Sequence, residues 1–229
     1  MGYFVRKYKK DSFRPLDCLM VVVITLVSLG VRAWHLGYPE DVIFDEVYFG
    51  NFSNFYINHT YYHDIHPPFG KLVMAGIAGL TQYRGNIVFN KEVNRRYEVN
   101  ELFYVSLRIT PIIFSTFCPS LIYVSMRLLS YSISAATLSA CCIVFDGTSL
   151  VEGKFILSDA MLHFFTCLHI FAFALFLRKQ THISTLFAGI TMGMAFSCKY
   201  TALGLVALDG ITQIIWILTE YPSFKKIFM

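Results

Sequence analysis

The apolar residues of this chain are gathered into long runs, and that distribution narrows its possible folds more than any other feature. Between Leu19 and Val31 there is no charged residue. A helix needs roughly 20 mainly apolar residues to cross about 30 Å of hydrocarbon. By that measure spans are expected near 16–34, 104–126, 132–150, 156–177, 183–198 and 202–218, the fifth being short and rich in Gly and Ser. Composition agrees: 55% of residues are hydrophobic and 15% charged, and the mean hydropathy is +0.54, outside the range of soluble domains. The expected fold class is an all-α integral membrane protein, a polytopic helical bundle of about six transmembrane helices with one large loop.

The net charge of +4 raises the question of nucleic acid, but the basic residues sit at the ends of apolar runs, where headgroups and topology place them. Arg6, Lys7, Lys9, Lys10 and Arg14 precede the first span. Counting spans, Arg127, Arg178-Lys179 and Lys225-Lys226 return to the same side. The positive-inside rule makes that side cytosolic. The expected organisation is a cytosolic tail (1–15), a first span (16–34), a large noncytosolic loop (35–103), five further spans (104–218) and a cytosolic tail (219–229). The first run is too long for a signal peptide's apolar region and is read as an uncleaved helix. The six cysteines fall in the expected spans with no ligand spacing, so neither disulfides nor zinc are expected.

The large loop carries the chemistry. Asp45-Glu46 stand between apolar Val42-Ile43-Phe44 and Val47-Tyr48-Phe49, hard against the first span. Charged groups are costly in hydrocarbon, so acids at this boundary face water, substrate or a partner. They fit a general base with its partner, metal ligands or a solvated turn. Asp64, His66 and Lys71 follow around Pro67-Pro68, which suit a helix start. Arg32 and Arg108 lie near the same membrane face; each either snorkels or binds phosphate. Lys154 and Asp159 bracket Phe155-Ile156-Leu157, and Lys199 interrupts the apolar sequence between the last two spans. Mutual pairing accounts for Lys154 and Asp159 better than ligand binding does, while Lys199 either snorkels or offers a cation to an anionic lipid ligand. Asn51-Phe52-Ser53 and Asn58-His59-Thr60 match the N-glycosylation signal.

In order along the chain, Val31-Arg32, Val42-Ile43-Phe44-Asp45-Glu46-Val47, Phe49-Gly50, Asp64-Ile65-His66-Pro67-Pro68-Phe69-Gly70-Lys71-Leu72, Leu107-Arg108 with Pro111, Lys154-Phe155-Ile156-Leu157-Ser158-Asp159 and Ser197-Cys198-Lys199-Tyr200 resemble the protein O-mannosyltransferases. These are dolichyl-phosphate-mannose-dependent enzymes of the endoplasmic reticulum membrane. The acid pair followed by His-Pro-Pro at this spacing is the specific part. The resemblance implies a GT-C fold with a lumenal site that transfers mannose from dolichyl phosphate mannose to Ser or Thr hydroxyls of acceptor proteins, with inversion. It assigns Asp45 as the base, with Glu46 orienting the acceptor or sharing that role. It gives Arg108, Arg32 and Lys199 to the donor phosphate. His66, Lys71, Asp64, Lys154 and Asp159 become substrate-binding or structural. No cofactor is required; the acid pair is compatible with a divalent metal, which is not expected. The implied partners are membrane lipids and a homologous transferase subunit in a dimer, with no nucleic acid.

The chain departs from the family pattern in having Tyr48 where His is common and Lys154 where Arg is common. Family members are also about three times longer, with further spans and a MIR domain. The alternative reading is a truncated, noncatalytic membrane partner of a full-length transferase.

Overall fold

The computed structural model describes residues 13–89, 93–98 and 103–220. The basic residues Arg6 to Lys10 and Lys225-Lys226, on which part of the orientation argument rests, lie outside them. The described elements are helices: α1 (Pro15–Ala33), α2 (Glu46–Ile57), α3 (Phe69–Gly79), α4 (Tyr104–Leu128), α5 (Ile133–Val144), α6 (Gly147–Glu152), α7 (Asp159–Lys179), α8 (His182–Phe196) and α9 (Leu203–Glu220). A short 3-10 turn at Tyr200–Ala202 leads into α9.

Three of these helices, α1, α4 and α7, are long and apolar enough to cross a membrane. Helices α3, α5 and α8 and the stretch Tyr200–Ile215 are apolar but shorter. The third apolar run, expected as one span over 132–150, is divided. Helix α5 stops at Val144, and the Asp146 carboxylate accepts the Ser149 N–H at 2.7 Å to start α6. An aspartate satisfies the free N–H groups of a new helix well, so the run breaks where Asp146 stands. The fourth run starts its helix at Asp159 rather than 156, because the Leu157 N–H closes a tight turn on the Phe155 carbonyl at 2.7 Å.

Helix α4 is the hub, packing against α1, α3, α5 and α7, while α8 lies on α7. A small cluster of Ile24, Tyr123, Ala136, Ala140 and Val144 fills the space between α1, α4 and α5. The alanines let the backbones approach closely, as membrane helices require. At the start of α1, buried Asp17 accepts from Arg127 Nε and the Tyr123 hydroxyl, both at 2.7 Å, tying α1 to α4. The opposite face of α1 exposes Leu19, Val22, Val23 and Leu26, an apolar surface suited to lipid.

The larger core joins the loop to the bundle. Val42, Val47, Phe49, Met74, Ile87 and Phe89 pack with Leu107 of α4 and with Ile156, Met161 and Phe165 around α7. Within the loop, residues 40–42 run antiparallel to 94–97. Val42 N–H donates to the Arg95 carbonyl, Asn94 N–H to Val42 and Tyr97 N–H to Glu40, each at 2.8 Å. This pairing fixes the chain just before α2.

Candidate active site

Helix α2 begins at Glu46 with Asp45 as its N-cap. Phe44, immediately before, adopts φ 49°. That left-handed conformation is costly for a bulky residue and persists only where neighbours over-determine it. Glu46 supplies the restraint. Its carboxylate accepts the Ile43 N–H at 2.9 Å, the Ile156 N–H at 3.0 Å and the Tyr97 hydroxyl at 3.3 Å.

The same carboxylate is gripped by Arg108, from Nε at 2.8 Å and Nη2 at 2.9 Å. Both side chains are 0% exposed. The remaining Arg108 donors go to backbone carbonyls: Gly37 at 3.3 Å and Pro39 at 2.8 Å from Nη1, and Asp41 at 3.0 Å from Nη2. The guanidinium also faces the Tyr104 ring at 4.9 Å and the Phe155 ring at 5.0 Å. Burial and then the Glu46 charge push the Tyr97 phenol up, keeping it a neutral donor. A buried charge pair holds only when its remaining hydrogen-bonding groups are satisfied, and here they are.

This corrects two expectations. Arg108 has no N–H left for a phosphate, and Glu46 has no exposed surface with which to meet an acceptor. The geometry gives them the task of fixing the turn that carries Asp45. Asp45 itself is half-buried and, among the described residues, its carboxylate has no hydrogen-bond or ion-pair partner. Two adjacent acids are thus separated into a locked one and a free one.

The other expected residues are arranged along α2 at intervals of three. Phe49 lies beneath Lys199, whose ammonium is 5.8 Å from the ring centroid and pairs with Asp159 at 2.7 and 2.9 Å. Phe52 lies beneath Lys71, 4.9 Å from its ammonium. Lys71 pairs with Asp64 and donates to the His66 carbonyl at 3.0 Å. Residues three apart share a helix face, so positions 46, 49 and 52 make α2 a rail for three cation–carboxylate pairs. Burial alone would raise the Asp64 carboxyl, but the hydrogen bond and charge of Lys71 outweigh it and hold the group below the usual range. The ring Nδ1 of His66 is buried without a partner.

Lys154 donates to the Trp34 carbonyl at 2.7 Å. Its pKa is lowered by burial and by the nearby Arg108 charge. Arg32 stands apart from this group. It is 0% exposed and bonds Ser28 at 2.9 Å, Ser149 at 3.1 Å and the Ile143 carbonyl at 3.2 Å, which joins α1 to α5 and α6. A phosphate cannot reach a side chain so enclosed, and the phosphate role expected for it is withdrawn.

One buried constellation was not anticipated. His169 of α7 bonds Asp209 of α9 at 2.8 Å through Nε2, and its Nδ1 lies 3.0 Å from the Ala188 carbonyl of α8. Its signal was present in the sequence as single ionisable residues inside two apolar runs, which call for a partner.

The fold and site together define a membrane-embedded helical protein whose loop presents the free carboxylate of Asp45 next to the buried Glu46–Arg108 pair. Residues 22–226 match the family model described as dolichyl-phosphate-mannose-protein mannosyltransferase. The chain belongs to that family. It is 33% identical over 189 residues to dolichyl-phosphate-mannose–protein mannosyltransferase 4 of Schizosaccharomyces pombe, covering 80% of this chain and 24% of the relative. It is 32% identical over 222 residues to mannosyltransferase 4 of Candida albicans, covering 93% of this chain and 29% of the relative. Among solved structures it is similar to the Saccharomyces cerevisiae protein O-mannosyltransferase Pmt1-Pmt2 complex bound to the sugar donor. There the TM-score is 0.82 at 27% identity, covering 92% of this chain and 29% of that one. The chain therefore spans between 24% and 29% of the length of these proteins.

Proposed function

We propose that this chain forms the catalytic membrane-edge region of a protein O-mannosyltransferase, moving mannose from dolichyl phosphate mannose to a Ser or Thr hydroxyl with inversion. Family membership supports the reaction class. The observation that carries the mechanism is the division of labour between Asp45, free and accessible, and Glu46, locked by Arg108.

In this reading Asp45 accepts the proton of the acceptor hydroxyl as its oxygen bonds to the anomeric carbon. A neutral hydroxyl is a poor nucleophile, and a positioned base supplies typically about 100- to 10,000-fold. The bond from that carbon to the phosphate oxygen breaks on the opposite side, and dolichyl phosphate leaves with the electron pair. Lys199 and Lys154 are the cations assigned to the departing phosphate. Each is partly exposed and not committed to a fully enclosed network. His66, Lys71, Asp64 and Asp159 support the acceptor side and hold the cations in place. The displacement runs without a metal.

A lipid-borne donor requires the site at membrane level. We accordingly assign residues 35–103 to the lumen of the endoplasmic reticulum and the N-terminus to the cytosol, with α1, α4, α5, α7, α8 and α9 as six spans. Helix α5 has 12 residues, about 18 Å at 1.5 Å per residue, so its flanks complete that crossing. The acceptors are secretory-pathway proteins, and a second, homologous transferase subunit is the partner.

The test is transfer by membranes carrying the chain, with dolichyl phosphate mannose as donor and a Ser/Thr peptide as acceptor. The expected product is α-linked mannose, released by an α-mannosidase. A β-linked product, or transfer from a nucleotide sugar in place of the lipid, would overturn the proposal.

A further inference from the structure

We infer that Asn58 carries an N-linked glycan and that Asn51, which has the same tripeptide signal, does not. The inference rests on the reading that residues 35–103 face the lumen. Helix α2 treats the two asparagines differently.

Asn51 lies inside the helix, and its amide donates to the Val47 carbonyl at 2.9 Å and to the Phe89 carbonyl at 2.7 Å. The hydroxyl of its sequon belongs to Ser53, which is 0% exposed and donates to the Phe49 carbonyl at 2.9 Å. Phe89 fills the adjoining space so closely that a Cβ on Gly50 would meet its ring at 2.4 Å. Both amide hydrogens of Asn51 are in use, so a sugar on its nitrogen would have to displace one of these bonds. An Asn51 glycan would cost the helix a bond that Asn58 does not have to give up.

Asn58 is the C-cap of α2 and is exposed, together with His59 and Thr60. Beyond them Tyr61 is 91% exposed. The Asn58 amide gives one hydrogen to the Gly85 carbonyl at 3.0 Å. A carboxamide nitrogen has two hydrogens, so the other is free to be replaced while the Gly85 contact remains. The modifying step joins Nδ2 to the anomeric carbon of an oligosaccharide carried on a lipid pyrophosphate. The amide loses a proton, and the lipid pyrophosphate leaves with the bonding electrons. Helix α2 has 12 residues, so at 1.5 Å each the glycan stands about 18 Å from the Asp45 end. It adds a hydrophilic cap to the loop without crowding the proposed base.

The experiment is expression of the chain in cells followed by endoglycosidase treatment and gel mobility. One glycosidase-sensitive step is expected, lost in Asn58→Gln and in Thr60→Ala and retained in Asn51→Gln. Arg96→Thr serves as a control, because it creates an acceptor signal on exposed Asn94 of the same loop. A glycan on that control with none at Asn58 overturns the inference and leaves the lumenal assignment standing. No glycan at either position overturns the lumenal assignment, and the inference with it. A glycan lost in Asn51→Gln but kept in Asn58→Gln also refutes the inference.

Discussion

Arg108 holds the Glu46 carboxylate from 62 residues further along the chain, with Nε at 2.8 Å and Nη2 at 2.9 Å, both side chains being fully buried. The guanidinium's other N–H groups take the carbonyls of Gly37, Pro39 and Asp41. One side chain thus closes the end of the first span, the entry to α2 and the start of α4 into a single unit. Removing one member leaves the other charge buried and alone, which costs about 3–5 kcal/mol. Glu46→Gln and Arg108→Lys should each unfold at clearly lower temperature in detergent, the lysine because it cannot reproduce the planar fork. Wild-type melting in both variants would contradict the role assigned to the pair.

The Asp64–Lys71 pair predicts a pH dependence. Asp64 is held below its ordinary value by Lys71 in the folded state. A carboxyl depressed on folding contributes stability that is present above its unfolded pKa, about 3.9, and is lost as pH falls through the folded value. The stability gap between wild type and Asp64→Asn should be constant from pH 8 to pH 5 and close below about pH 4. A gap that instead closes between pH 6 and 8 would show that another group, not Asp64, is being titrated.

His169 and Asp209 predict how α9 is attached. Helix α9 exposes Leu203, Leu208, Ile211, Ile214 and Ile215 and packs little against α8, so the polar bond to α7 is its main anchor. Asp209→Leu leaves the buried imidazole without its partner and should destabilise the bundle by about 3 kcal/mol. Asp209→Asn keeps a hydrogen bond and should cost about 1 kcal/mol. Equal effects of the two, measured by protease cleavage around Tyr200, would contradict the anchor.

How far these relationships could be read from the sequence depends on their range. The long apolar runs of α1, α4 and α7 announce themselves, because burial in lipid needs no partner from elsewhere in the chain. The third run misled, since one cap at Asp146 ends a helix that hydropathy alone would continue. The pattern around Asp45-Glu46 draws attention to this turn but does not show which acid is free. That distinction depends on Arg108 and the Ile156 N–H, which arrive from distant segments. The same holds for Arg32, whose position at the end of a span looks interfacial until Ser149 and Ile143 are seen to enclose it. His169 and Asp209 were visible as ionisable residues in apolar runs; their pairing is a tertiary fact.

In the proposed reaction Asp45, and not its neighbour, takes the proton. The direct measurement is mannose transfer from dolichyl phosphate mannose by Asp45→Asn, with melting temperature recorded on the same preparation. The expected result is a fall in transfer of at least about 100-fold with stability unchanged within about 0.5 kcal/mol. Transfer within twofold of wild type, on a protein that melts normally, would contradict it.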